Sequence, residues 1–447
     1  MSQKENSEKI KVGNNLRGLL NDLKRRPEDA AIELDFPIEE LNEFLEGEKE
    51  LSFEFIAKAC KKWPVNERDF FVIKDDTNLG IKKMTNENSY ESARIMQRAG
   101  SDYYEYRDTV LTTVTTFRPE WIKQLCFVDD NSPDNPKVQW NNGHFMHQFT
   151  YFIGNVNFYY INDLGEKCVE VMNTGDSCYI TPYVPHSFTT RSDSTEPGLI
   201  LALTFGSNLS GDSQLELSAL SDPELASKFA LDFESQDLAK GALIKFFRES
   251  FSISIEELSK RTKFSEEELN SFETGNLKIG FDQINIISKA LGINARDLLV
   301  YEDKKEKSVI NQKFEDGFTW NVEGKLTFVE LANSSNLPFT RSLHISVNNE
   351  EKTFEQQIGL HQYIYNIGST PINLHTGEHT EELKPGDSCY VKPFLKHSLT
   401  GHGNLLSLRI GGKMNGDSLR ELSFIGKDNT KRAISESLPW FNVKGKN

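Results

Sequence analysis

The sequence predicts an α+β fold in which one unit, a helical domain followed by an antiparallel β-barrel or jelly roll, occurs twice. Its 447 residues are enough for two to four domains. Three segments recur in the same order along the chain: 41–44 and 269–272, 147–151 and 361–365, and 175–179 and 386–390. The last pair reads Gly-Asp-Ser-Cys-Tyr both times. A tandem duplication explains this order.

Composition narrows the class of protein. Hydrophobic residues make up 37% of the chain, enough for sizeable cores, but no apolar run approaches the roughly 20 residues that cross a bilayer. The polar N-terminus has no signal-peptide core, and the five cysteines form no CxxC pair. We therefore expect a cytoplasmic protein without a membrane partner. The net charge of −16 disfavours nucleic acid, whose phosphates require basic partners.

The first domain of each unit, residues 1–75 and 222–303, is expected to be helical. Apolar residues recur at helical spacing in both, at Leu16, Leu19, Leu20, Leu23, Ile38, Leu41, Phe44, Leu45, Phe53, Phe55, Ile56 and Ala59, and at Ile255, Leu258, Leu269, Phe272, Ile284 and Ile287. Pro27 suits the start of a second helix. These short helices resemble the repressor-type helix-turn-helix domain. The recognition-helix segments, 36–50 and 264–276, are nevertheless rich in glutamate, so we expect no DNA binding.

The second domain of each unit, residues 93–212 and 308–447, is expected to be a β-barrel. Short runs of Val, Ile, Phe, Tyr and Thr, separated by Gly, Pro, Asn and Asp, continue through residues 109–210 and 317–445. We expect the intervening segments 73–92 and 211–240 to be exposed linkers.

The first barrel resembles the cupin family at its metal motif. His144, Gln148 and Gly154 are followed by Gly-Asp and a Pro-bearing strand that ends at His186. The resemblance places His144, Gln148 and His186 on the family's ligand positions, with Gln in place of the usual carboxylate. Two histidines and one oxygen donor suit non-haem Fe(II). Residues four apart on a strand lie roughly 13 Å apart, so a bend must intervene between His144 and Gln148.

Other histidines are expected not to bind metal. His147 is a packed or surface residue in the ordinary reading of a strand histidine. The second barrel keeps Gln362 and His397 but has Ile358 in place of the first histidine, so we expect no catalytic metal there. We do not expect His375 and His379 to form a replacement site.

A helix-turn-helix domain joined to a cupin, twice over, resembles the phosphonate oxygenases, the cupin family of hydroxyethylphosphonate dioxygenase and hydroxypropylphosphonate epoxidase. The resemblance covers almost the whole chain. It implies catalytic roles for Lys24 and Tyr106, and it implies that the anionic substrate contacts Lys24, Arg98, Tyr106, Asn141 and His186. Each residue has a plainer reading on its own: a helix-dipole partner for Lys24, a surface ion pair for Arg98, core packing for Tyr106 and a turn for Asn141.

Two positions favour the branch of this family that makes methylphosphonate. Gln148 occupies the early ligand position, and Ile180 stands where the dioxygenase has its metal carboxylate. The resemblance then implies Fe(II)- and O2-dependent cleavage of 2-hydroxyethylphosphonate to methylphosphonate and carbon dioxide. Hydroxymethylphosphonate and formate are the alternative products.

Two other classes of protein remain open from the sequence alone. One is a cupin-type transcription regulator, which predicts salt-dependent DNA binding. The other is a structural bicupin, which leaves the retention of His144 in one barrel only unexplained. We expect a homo-oligomer, and the sequence leaves open whether Lys24 serves its own chain or a neighbour.

Overall fold

The structure is a computed structural model that describes residues 3–206, 209, 211–300, 307–337, 339–351 and 355–435. The ends of the expected domains at 1–2, 301–303 and 436–447 lie outside the described residues. No helix in this part of the chain is long and apolar enough to cross a membrane.

Helices and strands follow the same order in both halves. The helices are α1 Gln3–Asp22, α2 Pro27–Leu34, α3 Ile38–Glu46, α4 Phe53–Lys62, α5 Asn86–Glu91, α6 Asp212–Ala219, α7 Pro223–Ser227, α8 Gln236–Ser250, α9 Ile255–Thr262, α10 Glu266–Glu273, α11 Phe281–Leu291 and α12 Gly416–Ser435. Short 3-10 helices lie at Glu67–Phe70, Ala295–Leu298 and Phe314–Asp316.

The strands of the first unit, with one strand that precedes it, are β1 Ile81–Met84, β2 Arg94–Arg98, β3 Ser101–Asp108, β4 Arg118–Gln124, β5 His147–Ile153, β6 Val156–Ile161, β7 Lys167–Met172, β8 Ser177–Ile180, β9 His186–Thr190 and β10 Leu199–Phe205. Those of the second half are β11 Val309–Gln312, β12 Thr319–Val322, β13 Leu326–Glu330, β14 Thr340–Asn349, β15 His361–Asn366, β16 Ile372–Thr376, β17 His379–Leu383, β18 Ser388–Val391 and β19 Ser398–Ile410.

The helical domains form where the apolar stripes predict them. Leu41, Phe44 and Phe55 are fully buried in the first domain, as Leu258 and Leu269 are in the second. Pro27 opens α2, where its fixed φ suits the first helical position. Phe53 was expected in the apolar stripe, but it is 79% exposed at the first residue of α4, where the helix has not yet turned its face to the core.

Three antiparallel sheets carry the rest of the chain. The first unit has a seven-stranded sheet in the order β11-β8-β5-β10-β4-β3-β2 and a separate three-stranded sheet, β7-β6-β9. The second unit has a nine-stranded sheet in which β1-β18-β15-β19-β14-β13-β12 run side by side and β16 and β17 extend from β19. The seven-stranded sheet buries Phe149 and Tyr151 against Tyr363 and Tyr365 of the other unit. Its other face packs on the three-stranded sheet and carries Gln148 and Thr150.

Each unit contributes one strand to the sheet of the other. β1, from a segment expected to be an exposed linker, pairs with β18, and β11 pairs with β8. The segment 73–92 is therefore not a simple linker: Ile81 is 4% exposed in the core of the second unit. Likewise the strand that begins just after residue 308, expected in the second barrel, completes the first sheet instead.

The repeated Gly-Asp-Ser-Cys-Tyr segment anchors these exchanged strands. The Asp176 carboxylate accepts hydrogen bonds from Lys313 Nζ at 3.0 Å and from the Phe314 N–H at 3.1 Å. Asp387 in the second copy accepts the Asn86 N–H at 2.8 Å and pairs with Lys83 Nζ at 3.3 Å. The motif recurs because the aspartate of each copy binds the segment that the opposite unit contributes.

The chain ends differently from the expectation of strands up to residue 445. Among the described residues the last strand ends at Ile410, and the highly charged segment that follows forms α12; residues 436–445 lie outside the described part. Asp417 at its start binds Arg296 Nη1 at 2.6 Å, as Asp212 at the start of α6 binds Arg68 at 2.8 Å. Each helical domain is thus tied to the helix that follows the strands of its own unit.

Candidate functional site

A cavity of about 160 Å³ opens between the two sheets of the first unit. Six of the seven residues singled out in the sequence line it: Arg98, Tyr106, Asn141, His144, Gln148 and His186. They come from β2, β3, β5, β9 and the loop before β5, so the fold brings together residues up to 88 positions apart, the separation from 98 to 186.

A bend before β5 brings His144 beside Gln148. His144 lies in the loop, and β5 begins only at His147. Gly143 has φ +74°, and a Cβ there would lie 2.4 Å from the carbonyl carbon of Tyr183, so the turn requires glycine. The Tyr183 N–H also donates to the His144 carbonyl at 2.8 Å. His144 Nε2 consequently lies 3.1 Å from Gln148 Oε1, the approach that a regular strand would prevent.

The two histidines turn their Nε2 atoms toward the cavity and their Nδ1 atoms toward backbone carbonyls. His144 Nδ1 and His186 Nδ1 lie 2.8 Å from the carbonyls of Met146 and Val184, so each Nδ1–H donates there. The ring centroids are 5.2 Å apart. Burial lowers the pKa of His186 to about 4, which keeps the ring neutral near pH 7. Neutral imidazoles held through Nδ1 are the usual form of a metal ligand.

Gln148 completes a donor set that fits a cation. Its Nε2 donates to Thr150 Oγ1 at 2.9 Å, which turns Oε1 toward His144. His144 Nε2 and Gln148 Oε1 then lie 3.1 Å apart, a separation that suits two atoms binding one metal ion. Ile180, opposite Gln148 in the β5–β8 register, is fully buried and offers no ligand. The described residues contain no cluster of three His, Cys, Asp or Glu side chains able to hold a metal, so the amide is essential to this set.

Three further side chains point polar groups at the cavity. Asn141 Nδ2 lies 3.1 Å from His186 Nε2, and its Oδ1 accepts the Gly143 N–H at 3.0 Å. Arg98 lies over the Tyr104 ring at 4.8 Å and donates to the Gln139 carbonyl at 2.8 Å, not to a surface acid. These contacts hold the Arg98 guanidinium at the cavity wall.

Tyr106 contributes a phenol side chain to the cavity wall. Its ring packs edge-on against Tyr104, with centroids 5.9 Å apart. Burial raises the pKa of its hydroxyl, which therefore stays protonated at neutral pH. Within the described residues the hydroxyl has no hydrogen-bond partner, so it is available to a ligand.

Lys24 is the predicted site residue that does not line the cavity of its own chain. It ends α1 with φ 58°, and its Nζ donates to the carbonyls of Asn21 and Asp22 at 3.1 and 3.3 Å. In this chain it satisfies the helix C-terminus, which was its plainer reading.

The other histidines pack as expected. His147 stacks between Tyr179 and Phe205, outside the cavity. In the second unit, Gln362 Nε2 and His397 Nε2 lie 3.3 Å apart. Arg409, the register partner of Gln362, stands where Thr204 pairs with Gln148 in the first unit.

His375, in the second unit, contacts two threonines. Its two ring nitrogens lie 2.8 Å from the hydroxyls of Thr380 and Thr400.

The chain is similar to known proteins over almost its whole length. The chain is 49% identical over 450 residues to methylphosphonate synthase of Nitrosopumilus maritimus, covering 99% of this chain and 98% of that protein. The chain belongs to the methylphosphonate synthase family. The expectation of a phosphonate oxygenase relationship is thereby confirmed.

Other relatives place this family among related oxygenases. The solved structure of Streptomyces albus HEPD with 2-hydroxyethylphosphonate and Fe(II) bound is 34% identical, with a TM-score of 0.88 over 97% of this chain and 99% of that one. The 2-hydroxyethylphosphonate dioxygenase of Streptomyces viridochromogenes is 23% identical over 77% of this chain and 79% of its own length. The family model of the Cro/C1-type HTH DNA-binding domain matches residues 247–304, within the second helical domain.

Sequence reasoning missed several residues of the cavity wall. Tyr104 also lines it, two positions before Tyr106 on β3, and that alternation was the signal that could have found it. Thr204 and Glu120 line it from β10 and β4. No motif marks them, because their place depends on strand pairing between distant segments.

Proposed function

We propose that this protein is a non-haem Fe(II) oxygenase that converts 2-hydroxyethylphosphonate and O2 to methylphosphonate, carbon dioxide and water. The single observation that carries the proposal is the pair of Nε2 atoms and the Gln148 amide oxygen, gathered at one cavity in a chain 49% identical to methylphosphonate synthase. The homologous structure with 2-hydroxyethylphosphonate and Fe(II) supports the choice of substrate and metal.

We assign iron binding to His144, Gln148 and His186. Bound Fe(II) supplies open coordination positions and the electron exchange that O2 chemistry needs. All three side chains are neutral, so the metal keeps its two positive charges. A neutral ligand set therefore strengthens attraction for an anionic, chelating substrate.

We assign substrate binding to the remaining polar groups of the cavity wall. Arg98 supplies a fixed positive charge, and the Tyr106 hydroxyl supplies a donor that no described residue occupies. Asn141 lies beside His186, so an amide borders the metal position on the side of Arg98. A planar guanidinium, a phenol and an amide together match the acceptor oxygens of a phosphonate.

Lys24 would act from a neighbouring copy. Its position outside the cavity of its own chain supports a homo-oligomer in which α1 of one chain approaches the cavity of another. We infer that the strand-exchanged sheets form two cupin barrels and that the second serves packing rather than iron binding. The glutamate-rich α3 and α10 support no role in binding DNA.

Iron stoichiometry and substrate-dependent O2 uptake test the proposal. We expect one Fe(II) per chain and O2 uptake that requires 2-hydroxyethylphosphonate, both lost in His144→Ala and His186→Ala. His397→Ala is the matched control, because His397 is the counterpart of His186 in the second unit and is equally buried. Loss of iron in His397→Ala but not in His186→Ala would overturn the assignment.

A further inference from the structure

An acidic side chain lies in the cavity, beside residues that would bind an anion. Glu120 on β4 lines the cavity together with Arg98, and its side chain is 28% exposed. No motif or ligand set described above uses it. A carboxylate in a site for a phosphonate requires an explanation, because like charges in a confined site repel.

Strand register separates the backbones of Arg98 and Glu120, although both side chains line the same cavity. Arg98 pairs with Ser101 at the start of β3, whereas Glu120 pairs with Asp108 at the end of the same strand. These rows are seven residues apart, a backbone separation of roughly 23 Å. The Arg98 side chain reaches into the cavity from one end and Glu120 borders the other.

Glu120 lies at the end of the cavity nearer Gln148. Ala202 on β10 pairs with Glu120 on one side, and two residues along the same strand Thr204 pairs with Gln148 on the other. Ala202 also lines the cavity and contributes only a methyl group beside Glu120. A substrate whose phosphonate contacts Arg98 would place its other end in the part of the cavity that Gln148 and Glu120 border.

The charge of Glu120 is poorly compensated. No described residue donates a hydrogen bond to its carboxylate, and Arg94 Nη2 lies 4.0 Å away. Arg94 itself donates to Asp108 Oδ1 at 2.8 Å. Burial raises the pKa of Glu120, an effect that Arg94 opposes, and the same exclusion of solvent leaves its charge weakly screened.

We infer that Glu120 is a specificity residue that excludes phosphonates with a second negative charge at the end remote from the phosphonate. The site then accepts a neutral hydroxyl or a cationic amine at that end and rejects a carboxylate. This inference rests on the proposed function, since it takes the substrate to be a phosphonate oriented by Arg98.

Two charged analogues of the proposed substrate test the inference. Calorimetry on the full-length Fe(II) protein without oxygen gives dissociation constants for phosphonoacetate, 2-aminoethylphosphonate and 2-hydroxyethylphosphonate. We expect Glu120→Gln to bind phosphonoacetate about tenfold more tightly than the unaltered protein does and 2-aminoethylphosphonate about tenfold more weakly. Glu105→Gln is the matched control, because Glu105 lies on β3 between Tyr104 and Tyr106 and faces away from the cavity. It should change neither constant.

The outcomes separate this inference from the proposed function. If the unaltered protein does not bind 2-hydroxyethylphosphonate, the proposed function fails before any variant is compared. If it does bind and Glu120→Gln leaves the phosphonoacetate constant unchanged, or Glu105→Gln shifts it equally, the inference is wrong. Glu120→Asp keeps the charge and must still reject phosphonoacetate; acceptance of that ligand by Glu120→Asp also overturns the inference.

Discussion

Replacement of Asp176 with Asn should release one exchanged strand while leaving the rest of the fold in place. Asp176 is 3% exposed. One carboxylate oxygen accepts the Phe314 N–H at 3.1 Å, and the other accepts the Asn173 N–H at 2.9 Å and Lys313 Nζ at 3.0 Å. An asparagine keeps one of these oxygens and turns an NH2 group toward a donor on the other side.

The structure gives the size of the effect. A buried N–H left without its acceptor costs about 1–3 kcal/mol. The ion pair adds about 0.5 kcal/mol, because the Lys313 side chain is 36% exposed and its charge is screened. The sum, about 2 kcal/mol, corresponds to roughly thirtyfold faster local opening, since 1.4 kcal/mol is tenfold.

Hydrogen exchange at residues 309–312 measures this opening. Asp387→Asn is the matched control, because it removes the corresponding anchor of the other exchanged strand, at residues 81–84. Each variant should therefore lose protection mainly in its own strand. Unchanged protection of residues 309–312 in Asp176→Asn, or an equal loss in both strands from either variant, would refute this account of the repeated motif.

Three further predictions concern the cavity. Gly143→Ala should lower the Fe(II) affinity at least tenfold in equilibrium dialysis, because the new Cβ would lie 2.4 Å from the Tyr183 backbone. Gly165→Ala is the control and should leave the affinity unchanged, because Gly165 also has a positive φ (+78°) but has open space around it. Gln148→Glu should keep iron and change the ratio of methylphosphonate to hydroxymethylphosphonate, since it reduces the charge of the metal centre; an unchanged ratio in product analysis contradicts this role. Tyr106→Phe should retain iron but lose about tenfold in kcat/KM for 2-hydroxyethylphosphonate, by loss of one hydrogen bond to charged oxygens; an unaltered steady-state rate would make Tyr106 a packing residue.

The repeated motifs and apolar periodicity predict much of the fold, because both reflect local chemistry. Leucine stripes locate the helices, and the resemblance to the cupin motif predicts the donor set of His144, Gln148 and His186. The sequence does not predict the exchange of β1 and β11 between units. Both units have equivalent sheet edges, so pairing within a unit satisfies the same sequence pattern as pairing between units. The position of Glu120 escapes prediction for a related reason, since only the register of β4 with β10 places it in the cavity.

Lys24 and His147 make contacts within their own chain that involve no ligand. Lys24 satisfies the end of α1 in its own chain, and His147 packs between aromatic rings. Neither result follows from sequence, because a helix end and a ligand position favour the same basic side chain, and a strand histidine suits both a core and a metal.

Product analysis tests the central claim most directly. Protein loaded with Fe(II) without oxygen, then mixed with 2-hydroxyethylphosphonate and air, is examined by phosphorus NMR. The account predicts a methylphosphonate signal that disappears in His144→Ala and persists in His397→Ala. Hydroxymethylphosphonate as the sole product, or substrate that remains unchanged while iron is bound, would contradict it.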